Sequence, residues 1–452
     1  MSLPTNDSEL LDRALTAARD TRRLAIGAGV RRRVPEEFRA VFGARSASIV
    51  ADPNTLEAAG RDVLAAFEGA GHPLVDPFVF GRDVYAGIED VERLRAALAA
   101  TDAIPVAVGS GTINDLTKLA SHRLGRPYLS VATAASMDGY TAFGASITER
   151  GSKQTFDCPA PAAVVADLDV IAAAPAGMNA SGYADLLAKN VAGADWMLAE
   201  AAGVEPIDRD VWETVHGRLK DWVGDPSGVA RGEPAALGGL TAGLMMTGFA
   251  MQAHKTSRPA SGADHQFSHL WDMQHHTFRG VAPSHGFKVG IGTLASTALH
   301  EHLLSRDLRA IDVEQAVAAW PPFDLVERRL RELFGPGELA EKAVEESRAK
   351  HPSPEILRDQ LARVQAAWPG VRERLARHLI PFDRARTLLR QAGCPDSPEA
   401  IGVSRERLRR SFAQAAAIRR RFSILDVALR FGIFDEALDA LFGPGGAFGP
   451  DR

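Results

Sequence analysis

A chain of 452 residues that is 46% apolar and 24% charged has material for two or three domains and a large core. Its net charge of −5 gives no general attraction to nucleic acid or to an anionic membrane, so neither is the expected partner. Two cysteines, Cys158 and Cys394, far apart in sequence, exclude a disulfide framework and argue against a Cys-based zinc site.

In chain order, the N-terminal "MSLPTNDSELLDRALTAARD" is polar and amphipathic and lacks the apolar core of a signal peptide. "SASIVAD" reads as a short strand ending in Asp52, and "NTLEAAGRDVLAAFEGAG" as a helix closed by glycine. "DVERLRAALAA" (helix), "AIPVAVG" (strand), "TINDLTKLASHRLG" (helix) and "PYLSVAT" (strand) follow, and "AAVVADLDVI" is the last β-type run. This alternation predicts a parallel sheet flanked by helices. From about Ala180 onward the pattern is helical, broken at "GDPSG", "SRPASG", "FGPGE", "KHPSPE" and "GCPDSPE". The expected organisation is an α/β domain over residues 1–177 and an all-helical domain over 178–452, with a ligand in the cleft that two such halves make. The apolar run "AALGGLTAGLMMTGFAMQAH" is glycine-rich and ends in His254 and Lys255, which fits a buried central helix better than a membrane span. The chain reads as cytoplasmic. The basic runs Arg31–Arg33 and Arg419–Arg421 read as solvated helix faces or loops.

"GSGTIND", Gly109 to Asp115, lies between a strand and a helix. Gly109 and Gly111 let the backbone turn tightly and leave the approach of a pyrophosphate open, while amides at the helix start point at the anion. Asp52, at the end of an earlier strand, could accept hydrogen bonds from the adenosine ribose, which would favour NAD over NADP. The other reading of Asp52 is a helix-capping aspartate in "DPNT".

"SGADHQFSHLWDMQHH" holds four of the thirteen histidines. His265 and His269, at i and i+4, point from one helix face. His285 precedes a glycine in a loop entering "FKVGIGTL", and Asp185 in "GYADLLAK" starts a helix. Carboxylate and imidazole ligands from separate helices suit a catalytic metal. His275 and His276 read as ordinary structural histidines.

Together, in order, "GSGTINDLTK", "SVATAASMDGYTAFGASI", "SGYADLLAKNVAGADW", "SGADHQFSHLWDM" and "HGFKVGIGTL" resemble the iron-containing alcohol dehydrogenase and dehydroquinate synthase superfamily. Within it they are most similar to the sn-glycerol-1-phosphate dehydrogenases, particularly the longer bacterial kind. The similarity runs densely from Arg23 to Ile291 and resumes in "IGVSRERLRRSFAQAAAIRRRFSILDVALRFGIFDEALDAL". The resemblance implies a dinucleotide-binding α/β domain, a helical domain of the dehydroquinate synthase type and one divalent metal in the cleft. The metal ligands would be Asp185, His265 and His285, with His269 beside the substrate. Gly109, Ser110, Gly111 and Asp115 match the pyrophosphate turn, and Asp52 the ribose-proximal acid. Thr133 and Ser136 match positions along the nicotinamide, and Asp138 an aspartate that contacts substrate hydroxyls; Asp185 would also face the substrate. GSG stands where GGG is commoner, and "ADH" where many relatives carry glutamate before the histidine; neither removes a ligand. The segment Pro321 to Glu399 is longer than in compact members, without a functional account.

The implied reaction is reversible hydride transfer between NAD(P)H and dihydroxyacetone phosphate, giving sn-glycerol 1-phosphate. Zinc is the default metal, although nickel and iron accept the same ligands, and NADP is an alternative to NAD. Lys189, Lys255, Arg258 and Lys288 are candidates for the substrate phosphate, Lys288 preferred, with Ser261 and Gly262 as further donors. A homo-oligomer, dimer or larger, is expected from relatives. The competing readings are a dehydroquinate-synthase-like sugar-phosphate cyclase, a plain glycerol or alcohol dehydrogenase, and a non-catalytic nucleotide-binding protein.

Overall fold

The computed structural model describes residues 5–149 and 152–451. The chain forms two compact units. Unit 1 takes the chain up to Leu186, Glu213–Ser257 and Gln391–Cys394; unit 2 takes Leu187–Trp212, Arg258–Arg390 and Pro395–Arg452. The strands all precede residue 178, but compactness follows packing rather than strand content. The helices of Glu213–Ser257 pack on the strand-bearing part and count with it.

Unit 1 is built on a six-stranded parallel sheet of β1 (Arg23–Gly27), β2 (Ala47–Ala51), β3 (Phe78–Val79), β4 (Ile104–Gly109), β5 (Leu129–Ala132) and β8 (Ala163–Asp167). The order is β1-β8-β5-β4-β2-β3, and a separate antiparallel hairpin joins β6 (Ala145–Glu149) to β7 (Ser152–Phe156). The central strands ASIVA, IPVAVG, LSVA and AVVAD are buried along their whole length. That burial explains continuous apolar runs in place of alternation. Sequence reading did not register β1, β3 or the hairpin, and the "DLDVI" end of the last run is helical, Leu168–Ala173. Asp167 caps that helix through Asp169 N–H.

β2 and β4 are neighbours in register from Ala47↔Ile104 to Val50↔Ala107. The chain leaves β2 toward β3 on one side and β4 toward β5 on the other. Their carboxyl ends therefore border the crevice where open α/β sheets bind ligands. Asp52 follows one strand and Ser110 the other.

The apolar run forms the helix Pro234–His254 in unit 1. It is the one helix among the described residues long and apolar enough to cross a membrane, and 83% of its most apolar window is buried. Unit 2 is helical, and its most closely packed pair is Ala263–Met273 with His285–Leu304.

Candidate active site

In unit 1 the sequence places a turn at the end of β4. Ser110 caps the helix Gly111–Arg123, its hydroxyl accepting the Gly111 N–H at 2.7 Å. The Thr112 and Ile113 amides at this helix start have no acceptor among the described residues. The two glycines differ. A Cβ on Gly109 would lie 2.5 Å from the Ile113 Cβ, whereas one on Gly111 would meet nothing closer than Met137 Cγ at 3.6 Å. Packing thus requires glycine at 109, and only an incoming ligand could require it at 111.

Asp52 is the N-cap of a capping box. Its Oδ1 accepts from Asn54 N at 2.7 Å and Thr55 N at 3.0 Å, and Thr55 Oγ1 accepts the Asp52 N–H. The capping alternative is therefore realised, at the crevice position the ribose reading needs. Asp115 is not on the turn. It lies inside the helix, where its Oδ2 accepts the Ser146 N–H at 3.1 Å and anchors the start of the hairpin. Burial pushes its carboxyl above the usual range, against the pull of Lys118.

The segment after β5 carries Thr133, Ser136 and Asp138 and lies over the turn. Thr133 N–H donates to Gly109 O at 3.2 Å, the Ser136 and Ser110 hydroxyls are 3.3 Å apart, and Tyr140 OH donates to Ala134 O at 2.8 Å. Lys118, buried in the helix Gly111–Arg123, donates to the carbonyls of Gly139, Ala142 and Gly144 at 2.9–3.0 Å. One face of the helix Ala176–Leu187 holds the same segment. Asn179 Oδ1 accepts the Ala135 N–H at 3.0 Å, and a Cβ on Gly182 would be 1.8 Å from Ala135 O. Asp185 Oδ2 accepts the Asp138 N–H at 3.2 Å. Asp185 thus sits in the last turn of its helix, not at a helix start, and spacings of three put Asn179, Gly182 and Asp185 on one stripe.

In unit 2, His265 and His269 are one turn apart on the helix Ala263–Met273, and His285 is the first residue of the helix His285–Leu304 rather than part of a loop. The ring centroids are 5.4 Å apart for His265 and His285, and 6.2 Å from His269 to each. A Cβ on Gly292 would lie 2.2 Å from Asp264 O, so glycine is what lets these helices approach. Two buried carboxylates seal the start of the first. Asp195 Oδ2 accepts the Ala263 N–H at 2.7 Å and Asp264 Oδ1 the Gly262 N–H at 3.1 Å. Asp264 Oδ2 also takes His265 Nδ1. With the proton on Nδ1 directed at that carboxylate, the lone pair is on Nε2, the arrangement that orients metal-binding imidazoles. His285 Nδ1 stands 3.4 Å from Ser268 Oγ.

Asp185 in unit 1 and His265 and His285 in unit 2 are each held by their own helices. A carboxylate oxygen with two imidazole nitrogens is a donor set that fits zinc, nickel or iron.

The phosphate candidates are otherwise engaged. Lys288 is buried and ion-paired with Asp272. Lys255 faces Asp20 at 3.5 Å and the Phe143 ring at 4.8 Å. The buried Arg258 donates to the carbonyls of Phe422 and Asp195 and faces Glu205 at 3.2 Å. His276 is buried, its Nε2 on Ile401 O at 2.7 Å and its Nδ1 facing Arg407 at 2.8 Å, while His275 is exposed. The basic runs are not uniformly solvated: Arg31 bonds Asp167 and Asp62, and Arg421 reaches Ser261 O.

Sequence reading missed Asn179, Gly182, Lys118, Asp195, Asp264 and Gly292. Two carried a local signal. Lys118 stands three residues after Asp115 on a face of apolar neighbours, and Asp264 directly precedes a histidine.

The iron-containing alcohol dehydrogenase family model matches residues 25–175. A protein of Halalkalibacterium halodurans named glycerol-1-phosphate dehydrogenase (NAD(P)+) is 35% identical over 259 residues, covering 56% of this chain and 65% of that one. A protein of the same name from Bacillus subtilis strain 168 is 30% identical over 313 residues, covering 67% of this chain and 79% of its own length. The chain belongs to the glycerol-1-phosphate dehydrogenase group of the iron-containing alcohol dehydrogenase family. The crystal structure of glycerol dehydrogenase from Schizosaccharomyces pombe has the same fold, with a TM-score of 0.59 at 16% identity over 93% of this chain and 90% of that one.

Proposed function

We propose that this protein interconverts dihydroxyacetone phosphate and sn-glycerol 1-phosphate with NAD(P) and one divalent metal ion. The observation that carries the reading is the His265 and His285 pair in unit 2, ring centroids 5.4 Å apart, in a chain whose relatives carry that activity in their names; Asp185 is the proposed third ligand. When bound, the metal supplies Lewis-acid polarisation of the substrate carbonyl and NAD(P)H supplies the hydride. The protein's own part is placement and proton handling. The open amides of Thr112 and Ile113 donate to the pyrophosphate, which the bare Gly111 lets approach. Asp52 lies on the ribose side, and Thr133 and Ser136 line the nicotinamide side. Asp138 accepts hydrogen bonds from the substrate hydroxyls, its position fixed by the N–H bond to Asp185. His269 holds a proton for the substrate oxygen as the alcohol forms and takes it back in reverse. Lys288, with Asp272 as its resting partner, is the proposed contact for the substrate phosphate. Zinc is the preferred metal and NAD the preferred nucleotide; a cytoplasmic homo-oligomer completes the reading.

The experiment mixes metal-loaded protein with NADH and dihydroxyacetone phosphate and follows reduced-cofactor absorbance. Multiple-turnover loss of NADH with chiral identification of the 1-phosphate is expected. No loss with any triose phosphate, using NADH or NADPH, overturns the proposal.

A further inference from the structure

A cavity of about 420 Å³ opens in unit 2, and none of its lining residues belongs to the site above. Its walls come from the helices Val313–Ala319, Phe323–Phe334, Glu338–Lys350, Arg405–Ala417 and Ile424–Arg430. Much of it therefore belongs to the stretch for which the sequence offered no function. Small side chains make the space: Ala316 and Ala319 on one wall, Ala413, Ala416 and Ala417 on another. The groove is open at one side, with Leu330 and Ala416 buried at its base and Leu429 exposed at its rim, and its volume is that of a small-molecule site. Around the same helices Leu330, Ala343, Val344 and Ala417 form a small hydrophobic core, which shows that the helices pack well where they are meant to touch.

The lining is apolar with a cationic excess. Lys350 and Asp426 neutralise each other at 2.7 Å. Arg430 is held by Gln360 and by Lys350 O. Asp435 is an exposed carboxylate. Arg329 is exposed and has no ion pair or hydrogen bond among the described residues. His351 stacks on Trp320, ring centroids 5.2 Å apart, and burial lowers its pKa, so it adds no charge at neutral pH. The buried Trp320 indole N–H has no acceptor among the described residues.

We propose that this cavity binds an apolar-tailed monoanion, with the tail among the alanines and leucines and a carboxylate at Arg329. Charge complementarity selects the occupant: a carboxylate gains a contact with the exposed Arg329 that a neutral molecule lacks, and an alkyl cation would oppose it. The site is separate from the proposed reaction and stands or falls without it.

The test uses the full-length, metal-loaded protein, with decanoate below its micellar concentration as probe and decylamine and decan-1-ol for comparison. Calorimetry and tryptophan emission are the readouts. Decanoate should bind saturably at one site and change the emission, and decylamine should not bind. Arg329→Gln should weaken decanoate about tenfold, the loss of one charge-assisted contact, and leave decan-1-ol unchanged. Trp320→Phe should remove the emission change while calorimetric binding persists. Ala416→Leu should abolish binding of both ligands at unchanged circular dichroism; should that variant fail to fold, Arg329→Gln decides. The proposal is overturned by absence of saturable decanoate binding, by equal affinity in Arg329→Gln, or by a cavity closed through self-association of the ligand-free protein.

Discussion

The starts of two helices face opposite demands. At Gly111–Arg123 in unit 1, one serine hydroxyl takes one amide, and the Thr112 and Ile113 N–H groups are left to solvent or ligand. At Ala263–Met273 in unit 2, the buried carboxylates of Asp195 and Asp264 take the Ala263 and Gly262 N–H groups at the helix start. The first arrangement keeps the positive end of a helix dipole open to an anion. The second cancels it and sets two negative charges beneath a histidine, which suits a cation. On the proposed reading, the backbone is the working surface in unit 1 and the imidazoles in unit 2. The same secondary structure would then serve a nucleotide in one place and a metal in the other, with the capping residues setting the difference.

Asp185→Ala should break this division most severely. Metal analysis should show the ion lost and turnover down about a thousandfold, in line with several kcal/mol of Lewis-acid stabilisation, while NADH binding weakens far less than metal binding. Retained metal refutes the ligand assignment. Asp264→Asn should lower metal affinity about ten- to a hundredfold, the usual effect of removing a partner that orients a ligand, measured by competition with a chelator. A smaller, reciprocal pair of changes sharpens the contrast. Gly109→Ala forces a Cβ into Ile113 and should weaken NADH binding by about 1–3 kcal/mol with metal content intact. Gly292→Ala forces one into Asp264 O and should do the reverse; if either variant impairs both ligands equally, the two sites are not built independently.

The smallest effect concerns His276. Burial, then the nearby Arg407 and Lys288 cations, lower its pKa despite the Ile401 carbonyl, so the fold favours the neutral ring. Its contribution to stability is complete above the unfolded value of about 6.5 and is lost as pH falls below it. Melting temperature should therefore drop from pH 7.5 to pH 5.5, with a shallower drop in His276→Gln.

The parallel sheet, the glycine turn and the apolar helix were legible because each is local: apolar runs, a strand–glycine–helix order, a long uncharged stretch. Residues whose role is to hold another segment were not. Lys118 looks like a surface lysine until three carbonyls 21 to 26 residues later close on it. Gly182 is one glycine among 41 until Ala135 O is found where its Cβ would be. Lys288 shows the converse: proximity to His285 in sequence suggested a phosphate contact, while the ion pair with Asp272 is a tertiary fact. The cavity of unit 2 had no signature at all, because alanines on separate helices advertise nothing until they face one another.

If Asp185 holds the metal, the N–H of Asp138 bonded to Asp185 ties two ligand equilibria to one short stretch of chain. The loop beside the glycine turn and the Asp185 carboxylate then move together. A ligand that orders the loop pre-pays part of the ordering for the ion, and the ion returns the same factor to the ligand. Saturation with nucleotide should thus be reflected in how tightly the ion is retained, and the fully loaded protein is the state in which each guest holds the other.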